Sequence, residues 1–230
     1  AVPLDSCRQS GADARGSQTM TRHGAVFLSA SVPQPGRRGF DSFDSLLVSS
    51  AVHAFVEVVL GRRLLVWGGQ PAITPIIWEA ARRLEVPYER CVLLYQSAFF
   101  RGHYPEANLR FNNWVEVPAV DGDLRASLVR MRARMLSDRP YEAAVFIGGM
   151  EGVIDEFDAL RESAPGVRLI PLPTPGGVSR ELFERAENLP REMRTRTDFT
   201  YWLYRLLDID PSEPRLLVDA GTGDDDSRSE

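Results

Sequence analysis

Two pairs of adjacent glycines, each directly after an apolar run, are the residues of this sequence best suited to bind an anion. Gly68 and Gly69 follow LLVW and lead into Gln70, whereas Gly148 and Gly149 follow AAVFI. Glycine lets a backbone approach a ligand closely, and a helix that begins after such a pair presents free N–H groups. Either pair alone fits a turn that needs glycine for packing about equally well. Two pairs in one chain favour two corners around a single crevice.

The stretch after the second pair adds further candidates. Met150, Glu151 and Gly152 continue this corner, and Asp155 and Glu156 follow on the first turns of the next predicted helix. Backbone N–H groups at the start of a helix can bind a phosphate. Two acidic residues near a helix N-terminus also interact favourably with the helix dipole, which explains them without a ligand.

Hydroxyl side chains end the first apolar run of the chain. Ser29 and Ser31 open into the loop VPQPGRRGF, which contains Arg37 and Arg38. Hydroxyl and backbone donors next to arginines suit a phosphate group. An ordinary polar turn is the alternative interpretation of this loop.

All 27 basic residues of the chain are arginines. The absence of lysine excludes Schiff-base, Walker-type and kinase-type lysine chemistry, so a phosphate must be bound by arginine or by backbone N–H groups. In the basic run RASLVRMRARMLSDR, Arg130 and Arg134 lie one helical turn apart and Arg132 points elsewhere. A solvent-exposed helix surface is the plainer interpretation, but one of these arginines becomes a phosphate ligand if the helix packs beside the crevice.

Short apolar runs alternate with helical patterns, and this alternation must position the candidate residues. The predicted strands are continuously apolar, which is typical of strands buried on both faces, and cover residues 25–30, 63–69, 91–97, 114–117, 143–149 and 167–172. Helices are predicted over residues 41–61, 76–85, 124–136, 153–162, 180–188 and 198–207. The order predicts an α/β, Rossmann-like, doubly wound and mostly parallel sheet with helices on both faces. Ligands bind such sheets outside the carboxyl ends of the strands, where the candidates lie.

The termini of the first helix are also predicted. Asp41 or Ser42 is placed to cap its N-terminus, and Gly61 can end it in the left-handed conformation. The 230 residues predict a single domain over residues 23–210, with a flexible tail at 1–22 and an acidic, disordered tail at 211–230.

Composition excludes several classes of protein. The net charge is −5, much of it from residues 219–230, so bulk nucleic-acid binding is disfavoured. Cys7 and Cys91 provide no disulfide framework, and the three histidines are too scattered to predict a metal site. Without an apolar stretch of membrane-spanning length or a signal peptide, we expect a cytoplasmic protein with no membrane contact and no cofactor.

The segments FLSAS, LVWGGQPAITP and FIGGMEGVIDE, with the MRARM helix before the last, resemble in this order the SLOG superfamily. That superfamily includes relatives of the Lonely Guy phosphoribohydrolases and of the DNA-processing protein of natural transformation. The resemblance covers residues 25 to about 186. Glu156 takes the place of the family's catalytic glutamate, and Arg130 or Arg132 takes the place of its arginine.

The chain also departs from the Lonely Guy motif Pro-Gly-Gly-x-Gly-Thr-x-x-Glu. Ile147 replaces the proline, Val153 replaces the threonine, and one residue is inserted before Gly152. In these details the sequence is more similar to the SLOG groups of bacterial antiphage and nucleotide-signalling systems.

The resemblance implies a sensor of a nucleotide-derived ligand, such as ADP-ribose or a cyclic nucleotide. Backbone N–H groups of both glycine corners would face its phosphates, Arg130 or Arg132 would neutralise charge, and Ser29, Ser31 and Gln96 would orient it. Relatives commonly pair through helices beside the site, which implies a homo-oligomer and a possible effector protein as partner. The aromatic segment 199–207 could form such an interface, and core packing explains it equally well.

The same resemblance leaves open an enzyme that hydrolyses the N-glycosidic bond of a nucleotide. The transition state of that reaction carries positive charge on the ribose. Glu156 would stabilise this charge or activate water, and Arg132 would orient the 5′-phosphate.

Overall fold

The computed structural model describes residues 24–218, apart from the side chains of residues 107 and 109. The predicted tail at residues 1–22, with Cys7, and the last part of the predicted acidic tail, residues 219–230, lie outside the described residues. His23 lies outside them as well.

Six strands form one sheet in the order β4-β3-β2-β1-β5-β6, and every neighbouring pair is parallel. The strands are β1 Ala25–Ser31, β2 Leu64–Trp67, β3 Val92–Ser97, β4 Trp114–Val117, β5 Tyr141–Gly148 and β6 Arg168–Leu172. The inner strands are buried almost throughout, as their continuous apolar runs predict. The predicted α/β Rossmann-like fold is confirmed.

Helices cover both faces of this sheet. They are α1 Ser45–Val59, α2 Thr74–Arg83, α3 Tyr88–Cys91, α4 Leu124–Ser137, α5 Glu151–Ser163, α6 Val178–Arg185 and α7 Phe199–Leu207. Helices α1, α2 and α7 share one core, around Phe55, Ile77 and Leu203. Helices α4, α5 and α6 share the other, around Met135, Phe157 and Leu182. Phe199, Trp202, Leu203 and Leu207 of the aromatic segment are buried, so core packing accounts for these four.

The start of α1 differs from the prediction. Asp44 caps the helix, since its side chain accepts hydrogen bonds from the N–H groups of Leu46 and Leu47 at 2.8 and 3.0 Å. Asp41 and Ser42 instead belong to a 3-10 turn, Phe40–Ser42, that precedes the cap. A capping carboxylate must stand directly before the first helical residue, and the extra turn moves both candidates out of that place.

Residues 211–218 pack on the domain, although composition assigned them to the tail. The N–H groups of Leu216 and Val218 donate to the carbonyls of Gly61 and Glu85, each at 2.8 Å. Buried Arg62 donates to the carbonyl oxygens of residues 211 and 213. These two carbonyls bond Nε and Nη2 of the buried guanidinium, whose Nη1 donates to the Val58 carbonyl and the Tyr204 hydroxyl, and they hold this segment on the domain.

The longest described helix, α1, has 15 residues. A helix needs about 20 predominantly apolar residues to cross a bilayer. Between residues 24 and 218 no helix combines the necessary length with the necessary apolar character.

Candidate functional site

The strand order reverses at β1, which lies between β2 and β5. In parallel sheets a crevice forms at such a point, outside the carboxyl ends of the strands. A crevice of about 390 Å³ lies there. Of the predicted site residues, it is lined by Ser29, Ser31, Gly68, Gly69, Gln70, Arg132, Met150, Gly152 and Glu156.

A buried carboxylate forms one wall of the crevice. Glu156 accepts a hydrogen bond from Ser29 Oγ at 2.5 Å and one from Arg132 Nε at 3.2 Å. The Ser29 residue is 3% exposed and the Glu156 side chain 13%. Arg132 also approaches Asp155, with Nη1 3.5 Å from Oδ2. Helices α4 and α5 thus bring together an arginine and a glutamate that are 24 residues apart.

Burial dominates the ionisation of Glu156. It raises the pKa of this carboxyl above that of an ordinary glutamate, while the charge of Arg132 and the hydrogen bonds from Ser29 and Arg132 act in the opposite direction. The carboxyl therefore binds its proton more tightly than an exposed glutamate does. Shifts of this kind are common where a side chain transfers protons or stabilises charge in a ligand.

The structure explains why residue 152 is a glycine, which the sequence does not reveal. A Cβ at this position would overlap the guanidinium of Arg132, which lies directly against the first turn of α5. The glycine therefore makes room for an arginine of the protein itself. It thereby places that arginine at the crevice.

The second glycine pair has its backbone N–H groups bonded within the protein. Gly148 N–H donates to Ser179 Oγ at 3.1 Å, and Gly149 N–H donates to the Ser31 carbonyl at 2.9 Å. The Gly149 carbonyl accepts from Val178 N–H at 3.2 Å. This pair therefore joins β5 to β1 and α6, and it does not line the crevice.

On this side the crevice is lined by two of the residues that follow the pair, Met150 and Gly152. Their N–H groups have no acceptor within residues 24–218, and no side chain of that range caps α5. The N–H group of Glu151 differs, because it bonds the carboxylate of its own residue. A hydrogen bond from Arg37, followed by the one from this N–H, lowers the pKa of that carboxylate to about 2. Arg37 Nη2 lies 2.7 Å from that carboxylate, at the rim of the crevice.

The first glycine pair faces the crevice directly. Gly69 adopts a φ of 75°, and a Cβ there would overlap the side-chain amide of Gln96. Gln70 Oε1 accepts from Ala72 N–H at 2.8 Å, so this side chain closes the turn that precedes α2. The N–H groups of Gly69 and Gln70 have no acceptor among the described residues, and they remain the donors of this corner.

Gln96 supports the first corner and does not face the crevice. Its Nε2 donates to the Gly68 carbonyl at 3.0 Å, and its Oε1 accepts from Asn108 Nδ2 at 3.0 Å. Asn108 in turn accepts from Thr74 Oγ1 at 2.7 Å. Sequence reasoning missed Asn108 because it lies in the patternless stretch between β3 and β4, where no spacing marks a buried amide.

The structure shows which arginine of the basic helix, Arg130 or Arg132, lies at the crevice. Arg130 Nη1 donates to the Ala119 carbonyl at 3.2 Å, on a side of α4 away from the crevice, whereas Arg132 lies in it. Three apolar side chains that no motif indicated also line the crevice: Phe100, Leu128 and Met131. Within the described residues, no group of three His, Cys, Asp or Glu side chains could hold a metal ion.

Comparison with known proteins places the chain in a family. A search of curated protein sequences found no match. The model of the SLOG cluster3 family matches residues 39–207, which include both glycine corners, the basic helix and Glu156. This match extends over most of the chain and confirms the predicted superfamily. The chain belongs to the SLOG cluster3 family, and this membership supports a nucleotide-related function.

Proposed function

We propose that the crevice binds a nucleotide-derived ligand, such as ADP-ribose or a cyclic nucleotide, and that the protein is a sensor of it. The observation that carries the proposal is convergence: one cavity is lined by Arg132 and by two sets of residues whose backbone N–H groups have no acceptor between residues 24 and 218. These are the donors that bind phosphate when lysine is absent.

The polar groups divide between the parts of such a ligand. Arg132 and the N–H groups of Met150 and Gly152 receive one phosphate. The N–H groups of Gly69 and Gln70, across the end of β1, receive a second phosphate or a ribose hydroxyl. The Ser31 hydroxyl adds an orienting hydrogen bond, whereas the Ser29 hydroxyl already donates to Glu156.

The biological setting follows from the family resemblance. Ligand binding would act in bacterial antiphage signalling, through a homo-oligomer or an effector protein. The replacement of the threonine of the Lonely Guy motif by Val153 supports a sensor over an enzyme, because it removes one hydroxyl donor from the start of α5.

Glycosidic hydrolysis is the second candidate, and Glu156 favours it. A carboxylate at the crevice wall, bonded to Ser29 and Arg132, is placed to stabilise positive charge on a ribose or to activate water. Burial raises its pKa above that of an ordinary glutamate, in the direction that favours a role as proton donor.

A single set of incubations distinguishes the two candidates. The protein is mixed with AMP, NAD or cyclic ADP-ribose, and melting temperature and released base are measured together. A thermal shift without base release supports the sensor, and base release that disappears in Glu156→Gln supports the hydrolase. Neither effect with any of these ligands would contradict both.

A matched pair of variants on α4 tests the location of the site. Arg132→Ala should remove the thermal shift, and Arg130→Ala, on the same helix but outside the crevice, should retain it. Equal losses in the two variants would argue against binding in this crevice.

A further inference from the structure

A smaller cavity of about 220 Å³ opens off the crevice under the segment that follows β3. The two cavities share six wall residues: Gly68, Gly69, Pro71, Phe100, Leu128 and Met131. With so many walls in common the two cavities lie side by side. We call the smaller cavity the side pocket, and its other walls are Gln96, Ser97, His103, Tyr104 and Pro105.

Most polar atoms around the side pocket already bond to the protein. The Gln96 amide is bonded at both ends, and Ser97 Oγ accepts from Phe99 N–H at 3.3 Å. The Tyr104 hydroxyl lies 2.9 Å from both the Ser97 carbonyl and a Glu116 carboxylate oxygen. What the pocket presents to a guest is therefore mainly apolar: the Phe100 ring, Leu128, Met131 and two prolines.

We infer that the side pocket binds the planar heteroaromatic ring of the nucleotide, an inference that rests on the proposed function. A volume of 220 Å³ holds roughly seven water molecules, which is the size of a bicyclic ring and not of a whole nucleotide. Arg132 and the start of α5, which receive one phosphate, do not line the side pocket, and Gly69, which lines both cavities, is left to bond the ribose. A ligand with its ring in the side pocket and its phosphate at Arg132 therefore spans the crevice.

Phe100 is the specificity-determining residue of this arrangement. It ends the 3-10 turn Ala98–Phe100, and at 37% exposure its ring is free to contact a guest. Stacking on an aromatic side chain accepts any base, because every base has a π face. The side pocket thus selects for a flat ring by shape, and the hydrogen-bond pattern of that ring matters less.

The test compares AMP with ribose 5-phosphate, which lacks the ring, by titration calorimetry. The protein should bind AMP at least about tenfold more tightly, and Phe100→Ala should remove about tenfold of AMP affinity while leaving ribose 5-phosphate affinity unchanged. Phe100→Trp should restore AMP binding, and AMP but not ribose 5-phosphate should quench the fluorescence of the new indole. This quenching provides a readout that does not require Phe100→Ala to fold.

Phe99→Ala is the matched control. Phe99 belongs to the same turn and its ring centre lies 5.3 Å from that of Phe100, but it lines neither cavity. Equal affinities for AMP and ribose 5-phosphate, or equal effects of the two alanine variants, would overturn the ring site and leave the crevice proposal intact. No binding of either ligand would overturn the ring site, and the crevice proposal is overturned as well only if NAD and cyclic ADP-ribose also give no thermal shift.

Discussion

The glycine corner after β2 and the glycine corner after β5 differ in where their backbone N–H groups point. At Gly148 and Gly149 the N–H groups bond to Ser179 and Ser31, so this corner ties two strands and a helix together. Gly69 lines the crevice, its N–H group has no acceptor among the described residues, and the Gln96 side-chain amide supports this turn. Adjacent glycines after a strand therefore indicate a tight backbone, and the bonding of the N–H groups decides whether a ligand can use it.

The largest effect is expected at the corner after β5. Gly148→Ala places a Cβ 2.7 Å from the Ser31 carbonyl at a residue with a φ of 65°, so the free energy of unfolding should fall by about 2–4 kcal/mol. Urea denaturation measures this loss. Gly36→Ala, at a φ of 76° with nothing within 4 Å, isolates the conformational part and should cost only about 1–2 kcal/mol. Equal losses would show that the close approach to Ser31 is unimportant.

The next effect concerns the arginine over Gly152. Arg132→Ala leaves the buried carboxyl of Glu156 without its charged partner and should cost about 2–3 kcal/mol of stability near neutral pH. The pKa of Glu156 is raised already and rises further in the variant, so the deficit belongs to the ionised form. The loss of stability should be complete above the pKa that Glu156 has in the variant. It should disappear as the pH falls below the pKa that Glu156 has in the wild type, towards about 4.

Thermal melts of the wild type and Arg132→Ala across this pH range measure the dependence. Arg130→Ala is the control and should change stability by less than about 0.5 kcal/mol at every pH. A deficit that is independent of pH would contradict an ionised Glu156 as its cause.

A smaller effect tests the support behind the corner after β2. Asn108→Ala removes the donor to buried Gln96 Oε1 and one of the two acceptors of Thr74 Oγ1, the other being the Gln70 carbonyl, and should cost about 1–2 kcal/mol in chemical denaturation. Thr74→Val removes only one of these hydrogen bonds and should cost less. A larger loss of stability in Thr74→Val than in Asn108→Ala would show that Thr74 contributes more to this support than Asn108 does.

The smallest effect is expected at Gly68. A Cβ there would lie 3.6 Å from Met131 Cε, an ordinary contact, so Gly68→Ala should change the free energy of unfolding by less than about 1 kcal/mol. Equilibrium denaturation beside Gly148→Ala is the measurement. A loss as large as that of Gly148→Ala would erase the difference between the two corners.

Strand and helix positions could be predicted from the sequence because they follow from local periodicity. The apolar runs that contain β1, β3 and β5 were found within one or two residues of their ends. Glu156 and Arg132 could be placed because family motifs mark them. The pairing of Ser29 with Glu156 spans 127 residues, and only the sheet order brings the two together.

Side-chain partners account for what could not be predicted. Gln96 was expected to orient a ligand, but the buried amide of Asn108 and the Gly68 carbonyl bond it. Gly152 lines the crevice, but the reason why it must be glycine, the room that it makes for Arg132, has no signal in the sequence. Such roles depend on which side chains of different helices, strands and loops contact each other, and the spacing of residues along the chain does not indicate these contacts.

The packing of residues 211–218 has a practical consequence for attaching the protein to anything else. This segment runs past Gly61 and Glu85, which precede β2 and β3, and Gly24 precedes β1. Both ends of the described chain therefore leave from the amino edge of the sheet, and the crevice opens at the carboxyl edge. A tag, tether or fused domain joined after residue 218 or before residue 24 begins on the far side of the sheet from the crevice. A chain cut at residue 210 would instead deprive Nε and Nη2 of Arg62 of the carbonyl oxygens that they bond.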